Sequence, residues 1–197
     1  MPLKSSILVF ATNNLHKLEE IRKITTDSIQ IVSLKDCGFN SDIEETKDSL
    51  EGNAKLKAET VFMATGHPCF ADDTGLFVNA LDGAPGIYSA RFAGENAKDQ
   101  DNVQLLLKKL EGEADRSAHF KTVISLVTEK ENYLFSGEIH GTITEQPIGE
   151  NGFGYDPVFI PEGFDQTFAQ LDSSIKNKIS HRAKATAALI EFINQLK

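Results

Sequence analysis

The sequence predicts an α/β protein built on a mixed sheet, and three observations carry that expectation. Apolar runs of strand type alternate with amphipathic helical patterns in the first third of the chain. A strand-rich stretch follows and a helix closes the sequence. No repeat, low-complexity tract or linker interrupts the 197 residues, which therefore read as one domain over 1–197.

The elements follow in order. Ser6-Ile7-Leu8-Val9-Phe10-Ala11 is a compact apolar run without alternation, as expected of a strand buried on both faces. Leu15, Leu18, Ile21 and Ile24 then recur at helical spacing among charged residues, and a second strand fits 29–34. A helix starts near Leu50, where Asp48 or Ser49 can cap it and Glu51 gives Asp48 the look of a capping box. Leu50, Ala54, Ala58, Val61 and Thr65 share one face of it, and Gly66-His67-Pro68 ends it. Two short strands, 69–71 and 76–78, are expected around an Asp72-Asp73-Thr74-Gly75 turn. Residues 82–86 form a loop, and 100–110 a helix. The β-branched and aromatic stretches 120–128 and 133–143 suggest an antiparallel pair, with a glycine-rich loop at 147–157 and a short strand at 158–160 after it. The last helix runs from about Ser180 to Leu196, with Ala183, Ala187, Ile190 and Ile193 on one stripe.

Charge narrows the function. There are 29 acidic against 20 basic residues, a formal net charge of −9. That balance disfavours nonspecific binding to nucleic acid or to an anionic membrane. An anionic small molecule remains possible where lysines, helix N-termini or a metal concentrate positive charge. No apolar run approaches the roughly 20 residues of a membrane helix. Residues 1–6 lack a signal-peptide pattern, so the expected location is cytoplasmic. Cys37 and Cys69 stand alone, without metal-ligand or dithiol spacing.

Four segments could carry chemistry. Ala11-Thr12-Asn13-Asn14-Leu15-His16-Lys17 runs from a strand into a helix start, where the dipole favours anions and Lys17 adds a full charge; a plain helix cap with a solvated lysine fits the same spacing. Asp72-Asp73, with Glu44-Glu45 upstream, offers the carboxylates a hard cation such as Mg²⁺ requires, although a turn and a solvated pair would look alike. Three glycines beside two aromatics in Gly149–Pro157 allow close backbone approach to a flat ligand and ring stacking on it, and they also suit an ordinary loop. Lys176, Lys178 and Arg182 gather directly before the last helix, at an end where the dipole disfavours cations and an acceptor is wanted nearby.

Taken together and in this order, these segments resemble the inosine triphosphate pyrophosphatase family, the XTP/dITP diphosphatases. The resemblance rests on Thr12 to Lys17, Glu44-Glu45-Thr46, Glu51 to Ala58, Asp72-Asp73-Thr74-Gly75-Leu76, Gly83 to Arg91, Phe153-Gly154-Tyr155-Asp156-Pro157 and Ile179-Ser180-His181-Arg182. It implies an elongated mixed-sheet fold of two lobes with the site in the cleft between them, commonly as a homodimer, acting on a purine nucleoside triphosphate with Mg²⁺ as cofactor. It assigns the triphosphate to Thr12, Asn13, Asn14, Leu15, His16, Lys17 and Lys57. Asp73 becomes the acceptor of the attacking water's proton and a metal ligand, with Glu45 the second carboxylate at the metal. Thr74 touches substrate, while Phe153, Gly154, Tyr155, Asp156, Lys176, His181 and Arg182 form the base pocket. Two positions depart from the family pattern: Asn13 replaces a glycine, which places weight on asparagine's tolerance of positive φ, and Thr74 replaces a serine, which keeps the hydroxyl. The rival readings are a Maf-type pyrophosphatase acting on other nucleotides and a non-catalytic nucleotide sensor.

Overall fold

The computed structural model describes residues 7–25 and 29–195. Ser6 and Leu196, the expected outer ends of the first strand and last helix, lie outside them. Seven strands and five α-helices are found among the described residues: β1 (Ile7–Phe10), α1 (Leu15–Ile24), β2 (Gln30–Ser33), α2 (Leu50–Thr65), β3 (Cys69–Val78), β4 (Pro85–Gly86), α3 (Asp99–Lys109), β5 (Ser117–Val127), β6 (Asn132–Ile143), β7 (Phe159–Pro161), α4 (Ser173–Ile179) and α5 (His181–Gln195). The sheet is mixed, in the order β2-β1-β3-β5-β6-β7 with β4 on β3. β1 pairs in parallel with β2 and β3, whereas β4 and β7 pair antiparallel to β3 and β6.

The chain divides into two compact units. One comprises residues 1–73, 122–137 and 182–197; the other comprises 74–121 and 138–181. In the first unit β1 from Leu8 on and the start of β3 are covered on both faces, which is why β1 shows no alternation. Leu8, Phe10 and Phe70 pack with Leu18 and Ile21 of α1 and Leu189 and Ile193 of α5. Val9, Ala11, Cys69 and Ala71 point the other way, onto Ala58 and Val61 of α2. The second unit builds its core from Leu76 and Val78 of β3, Val103 and Leu106 of α3, Phe120, Ile139, Phe159 and Phe168.

Several boundaries differ from expectation, each for a physical reason. Residues 69–78 form one continuous strand, not two strands about a turn, because both aspartates find buried cationic partners. Gly75 is needed there for closeness: a Cβ on it would lie 2.6 Å from the Gly86 carbonyl oxygen on β4. Accordingly, residues 82–86 are not loop throughout. Ser49 caps α2 by accepting from the Gly52 N–H, so the expected Asp48–Glu51 capping box does not form. Asn14 caps α1, and Asn13 does not take a positive φ; among the described non-glycine residues only Asp82 does. The helix α4 was not anticipated. It puts Lys176 and Lys178 in its last turn, where the dipole favours cations, so helix polarity gives those two lysines no reason to seek an anion.

Candidate functional site

The period of a strand sets the first part of the site. Successive side chains point to opposite faces, so Asp72 follows Phe70 toward α1 and α5, and Asp73 follows Ala71 toward α2. On the first face Asp72 is buried between two cations. Lys17 Nζ donates to its Oδ1 at 3.0 Å and Arg182 Nε to its Oδ2 at 3.2 Å, while Arg182 Nη1 also reaches Glu20 Oε2 at 2.5 Å. Burial alone would raise the Asp72 pKa, but Lys17, then Arg182 and Lys57, overturn it and hold the carboxyl well below the ordinary range. Burial lowers the Lys17 pKa, against the pull of Asp72. The acceptors wanted by Arg182 at the start of α5 are thus carboxylates of the protein itself.

On the second face Lys57 Nζ donates to Glu45 Oε1 at 2.5 Å and to Asp73 Oδ1 at 3.2 Å. Two carboxylates from distant positions in the sequence therefore converge on one ammonium. Asn53, one helical turn before Lys57 on the same buried face of α2, donates to the other oxygen, Asp73 Oδ2, at 3.3 Å and accepts from the Lys47 N–H at 2.9 Å. Burial raises the Asp73 pKa, and Glu45 adds to that against the opposing effect of Lys57, so the carboxyl ends above its ordinary value. The Lys57 ammonium is penalised by burial yet raised on balance by Asp73, Glu45 and Asp72.

Thr12 to Lys17 lead from β1 into α1. Thr12 Oγ1 accepts from the Asn14 N–H, Asn14 Oδ1 accepts from the Lys17 N–H, and Asn13 Nδ2 donates to Asp42. Leu15 is 70% exposed, and His16 is exposed beside it. This loop and the carboxylate cluster belong to one unit.

The remaining expected residues gather in the other unit, except Arg182. Asp156 is buried, and its Oδ2 accepts from the Phe153 N–H at 2.9 Å and from Lys176 Nζ at 2.6 Å. The turn is thereby closed, and the ammonium is fixed 4.8 Å from the Phe153 ring centroid. Gly154 donates to Asp99 at 2.6 Å, and the Tyr155 hydroxyl donates to the Ser89 carbonyl at 2.8 Å. His181 stacks on Phe120, centroids 4.6 Å apart. Thr74 follows Asp73 on β3. At Gly152, φ is +79° and a Cβ would sit 2.0 Å from Asp156 Oδ2. Gly152→Ala is expected to break this turn and raise KM for nucleotide more than it lowers kcat, as steady-state kinetics would read.

Four contributors escaped the sequence reading: Asn53, Glu20, Asp99 and the pairing role of Asp72. Only Asn53 left a signal, as a polar residue within an apolar helical face one turn from a lysine. Asn53→Ala strands Asp73 Oδ2 and the Lys47 N–H, and is expected to cost ~1–3 kcal/mol of stability in a denaturation experiment.

The donor set suits a hard divalent cation. Among the described residues, four carboxylates (Glu20, Glu45, Asp72, Asp73) interlock with three cations (Lys17, Lys57, Arg182). Glu45 and Asp73 already reach toward one cationic centre. Among the described residues no group of three or more His, Cys, Asp or Glu side chains is arranged to hold a metal. Mg²⁺ bound here would therefore draw on one or two carboxylates and complete its shell with water and phosphate oxygens, its ordinary habit.

Comparison with known proteins agrees with the resemblance. Residues 8–192 match the family model of the Ham1 family. A dITP/XTP pyrophosphatase of Flavobacterium johnsoniae is 53% identical over 96% of this chain and 99% of its own. One from Porphyromonas gingivalis is 52% identical over 94% and 96%. Among solved structures, the Staphylococcus aureus Ham1 protein superposes with a TM-score of 0.88 at 42% identity, covering 97% of this chain and 100% of its own. A HAM1 protein from Coxiella burnetii gives 0.88 at 38% identity, covering 96% and 98%. A chain matched over nearly its whole length by sequence and by fold belongs to the Ham1 family.

Proposed function

We propose that the protein hydrolyses deaminated purine nucleoside triphosphates (ITP, dITP and XTP) to the monophosphate and pyrophosphate, with Mg²⁺ as cofactor. The observation that carries the chemistry is the convergence of Glu45 and Asp73 on Lys57. A pure binder of polyphosphate would be served by the lysines alone. Two carboxylates beside them, Asp73 buried and Glu45 half-buried, repel phosphate unless they hold a cation or take a proton, and a hydrolase needs both services.

In this reading Asp73 orients the attacking water and accepts its proton, for which a carboxyl held above its ordinary pKa is better matched than an exposed one. The water oxygen bonds to the α-phosphorus while the bond from that phosphorus to the bridging oxygen breaks and pyrophosphate leaves. Lys57 and Lys17 neutralise charge on the departing group, and the first turn of α1 with Thr12, Asn13, Asn14, Leu15 and His16 lends its dipole to the same end. Asn53 keeps Asp73 turned for the reaction. Bound Mg²⁺ supplies Lewis-acid stabilisation of the phosphate oxygens, worth several kcal/mol.

Recognition of the base is proposed for Phe153, Gly154, Tyr155, Asp156, Lys176, His181 and Arg182, with Thr74 also on the substrate. Hypoxanthine and xanthine carry a keto acceptor at C6, where adenine carries an amino donor. A buried cation aimed at that edge pairs with the former and is stranded by the latter, a contrast that can reach ~10⁴-fold. Lys176, pinned by Asp156 against Phe153, has the fixed geometry such discrimination requires. A homodimer and a cytoplasmic location belong to the same proposal. Their support is the family resemblance and, for the location, the absence among the described residues of any helix long and apolar enough to cross a membrane.

The test is a nucleotide panel with Mg²⁺, read by release of pyrophosphate. ITP, dITP and XTP are expected to be cleaved far faster than ATP. Equal turnover of ATP would overturn the base assignment, and binding without cleavage would leave a nucleotide sensor.

A further inference from the structure

The part of the β5–β6 hairpin that lies in the second unit carries a pair of histidines that the proposed hydrolysis does not use. Its register follows from its two ends. The Thr128 N–H bonds the Glu131 carbonyl at the turn and the Ile143 N–H bonds the Arg116 carbonyl at the far end, so residues 116–128 and 131–143 run past each other one for one. His119 therefore stands directly opposite His140, and Lys121 opposite Glu138. An ion pair at 3.7 Å between Lys121 and Glu138 agrees with this register. In an antiparallel ladder hydrogen-bonded and non-hydrogen-bonded pairs alternate. Arg116 with Ile143 is a hydrogen-bonded pair, so His119 with His140, three residues along, is a non-hydrogen-bonded pair, the kind in which side chains come closest.

The neighbouring residues fix which way the pair faces. Ala118, Phe120 and Ile139 are buried in the core, while His119 is half-buried and His140 exposed on the opposite face. The two ring centroids lie 5.3 Å apart, tilted by 35°. Phe77 on β3 stacks against His119 at 5.0 Å, nearly parallel at 9°, which restrains that ring.

We propose that His119 and His140 form a binding site for a late first-row divalent ion (Cu²⁺, Ni²⁺ or Zn²⁺), held by one ring nitrogen from each imidazole with water filling the remaining positions. Centroids 5.3 Å apart let ring rotation bring one nitrogen of each imidazole within the span that one ion at about 2.0–2.1 Å from each nitrogen covers. Imidazole selects these ions, with Cu²⁺ held tightest, whereas Mg²⁺ demands oxygen. The ion class is therefore different from the one proposed for the Glu45–Asp73 cluster. Among the described residues no third His, Cys, Asp or Glu joins to make a larger group, so the ion is exchangeable and its outer positions stay open to a further ligand.

The test is calorimetric titration of the full chain with Zn²⁺, comparing wild type with H119Q, H140Q and H119Q/H140Q, together with Cu²⁺ EPR of the wild type. The expected result is one site per chain, lost in the double variant at Zn²⁺ concentrations that saturate wild type, with ITP hydrolysis unchanged. The Cu²⁺ spectrum should show hyperfine coupling to two imidazole nitrogens. An isotherm unaltered in the double variant, no binding by wild type, or a copper spectrum with oxygen ligands or a single nitrogen overturns the site. The EPR arm decides the matter even if a variant fails to fold.

Discussion

Asp73→Asn is expected to lower kcat on ITP by about 10²- to 10⁴-fold, the range a positioned general base contributes, while KM and the folded structure change little. Asparagine keeps the shape and one accepting oxygen, enough for Lys57 or Asn53 but not for both, and it cannot take a proton or carry a charge to a cation. Lys57 retains Glu45 at 2.5 Å, so its ammonium is not stranded. That separates this substitution from one that merely unfolds the site. Steady-state kinetics beside a thermal melt would check it: a large fall in kcat with an unchanged transition assigns Asp73 to the chemistry, and near-normal turnover removes it.

Asp72→Asn, one residue earlier, is expected to act through stability. Asp72 is the buried carboxylate shared by Lys17 and Arg182, with side-chain exposures of 1%, 16% and 2% respectively. Arg182 would still have Glu20, but the buried cluster would lose the charge that holds Lys17 beside it. Breaking a buried pair by removing one partner costs ~3–5 kcal/mol, or roughly 6–20 °C in Tm for a chain of this size. The pH dependence has a definite sign. Asp72 is depressed in the folded state, so its contribution is complete above the unfolded value near pH 4 and drains away as pH falls from there through the native value. The stability gap between wild type and variant should therefore be widest near neutrality and shrink below about pH 4. A gap that persists undiminished at low pH would mean the loss is packing, not charge.

The contrast between these neighbours shows what the sequence could and could not reveal. Apolar runs and helical stripes read correctly because they report burial locally: Leu8 to Phe10 is covered on both faces, and Ala54, Ala58 and Val61 mark the inner side of α2. Asp72-Asp73 read as a turn because two adjacent carboxylates in a strand are unfavourable unless distant cations meet them, and Lys17, Lys57 and Arg182 lie 55, 16 and 110 residues away. Strand periodicity then hands one carboxylate to each face, which no local pattern states. The helix α4 was missed because Ser173-Ser174-Ile175-Lys176-Asn177-Lys178-Ile179 has too few apolar residues for a stripe; its capping residue Asp172 was the available sign. The site segments themselves were legible as polar residues at strand and helix ends, while their pairing was not. Arg182 illustrates the limit, since its sequence neighbours His181 and Lys176 contact Phe120 and Asp156 whereas it turns to Asp72 and Glu20.

The most direct test of the central claim is hydrolysis of ITP by the wild-type protein in ¹⁸O-labelled water with Mg²⁺, followed by mass spectrometry of both products. Water activated at Asp73 for attack on the α-phosphorus places the label in the monophosphate and leaves pyrophosphate unlabelled. Label in pyrophosphate, or release of orthophosphate with a nucleoside diphosphate, would contradict it.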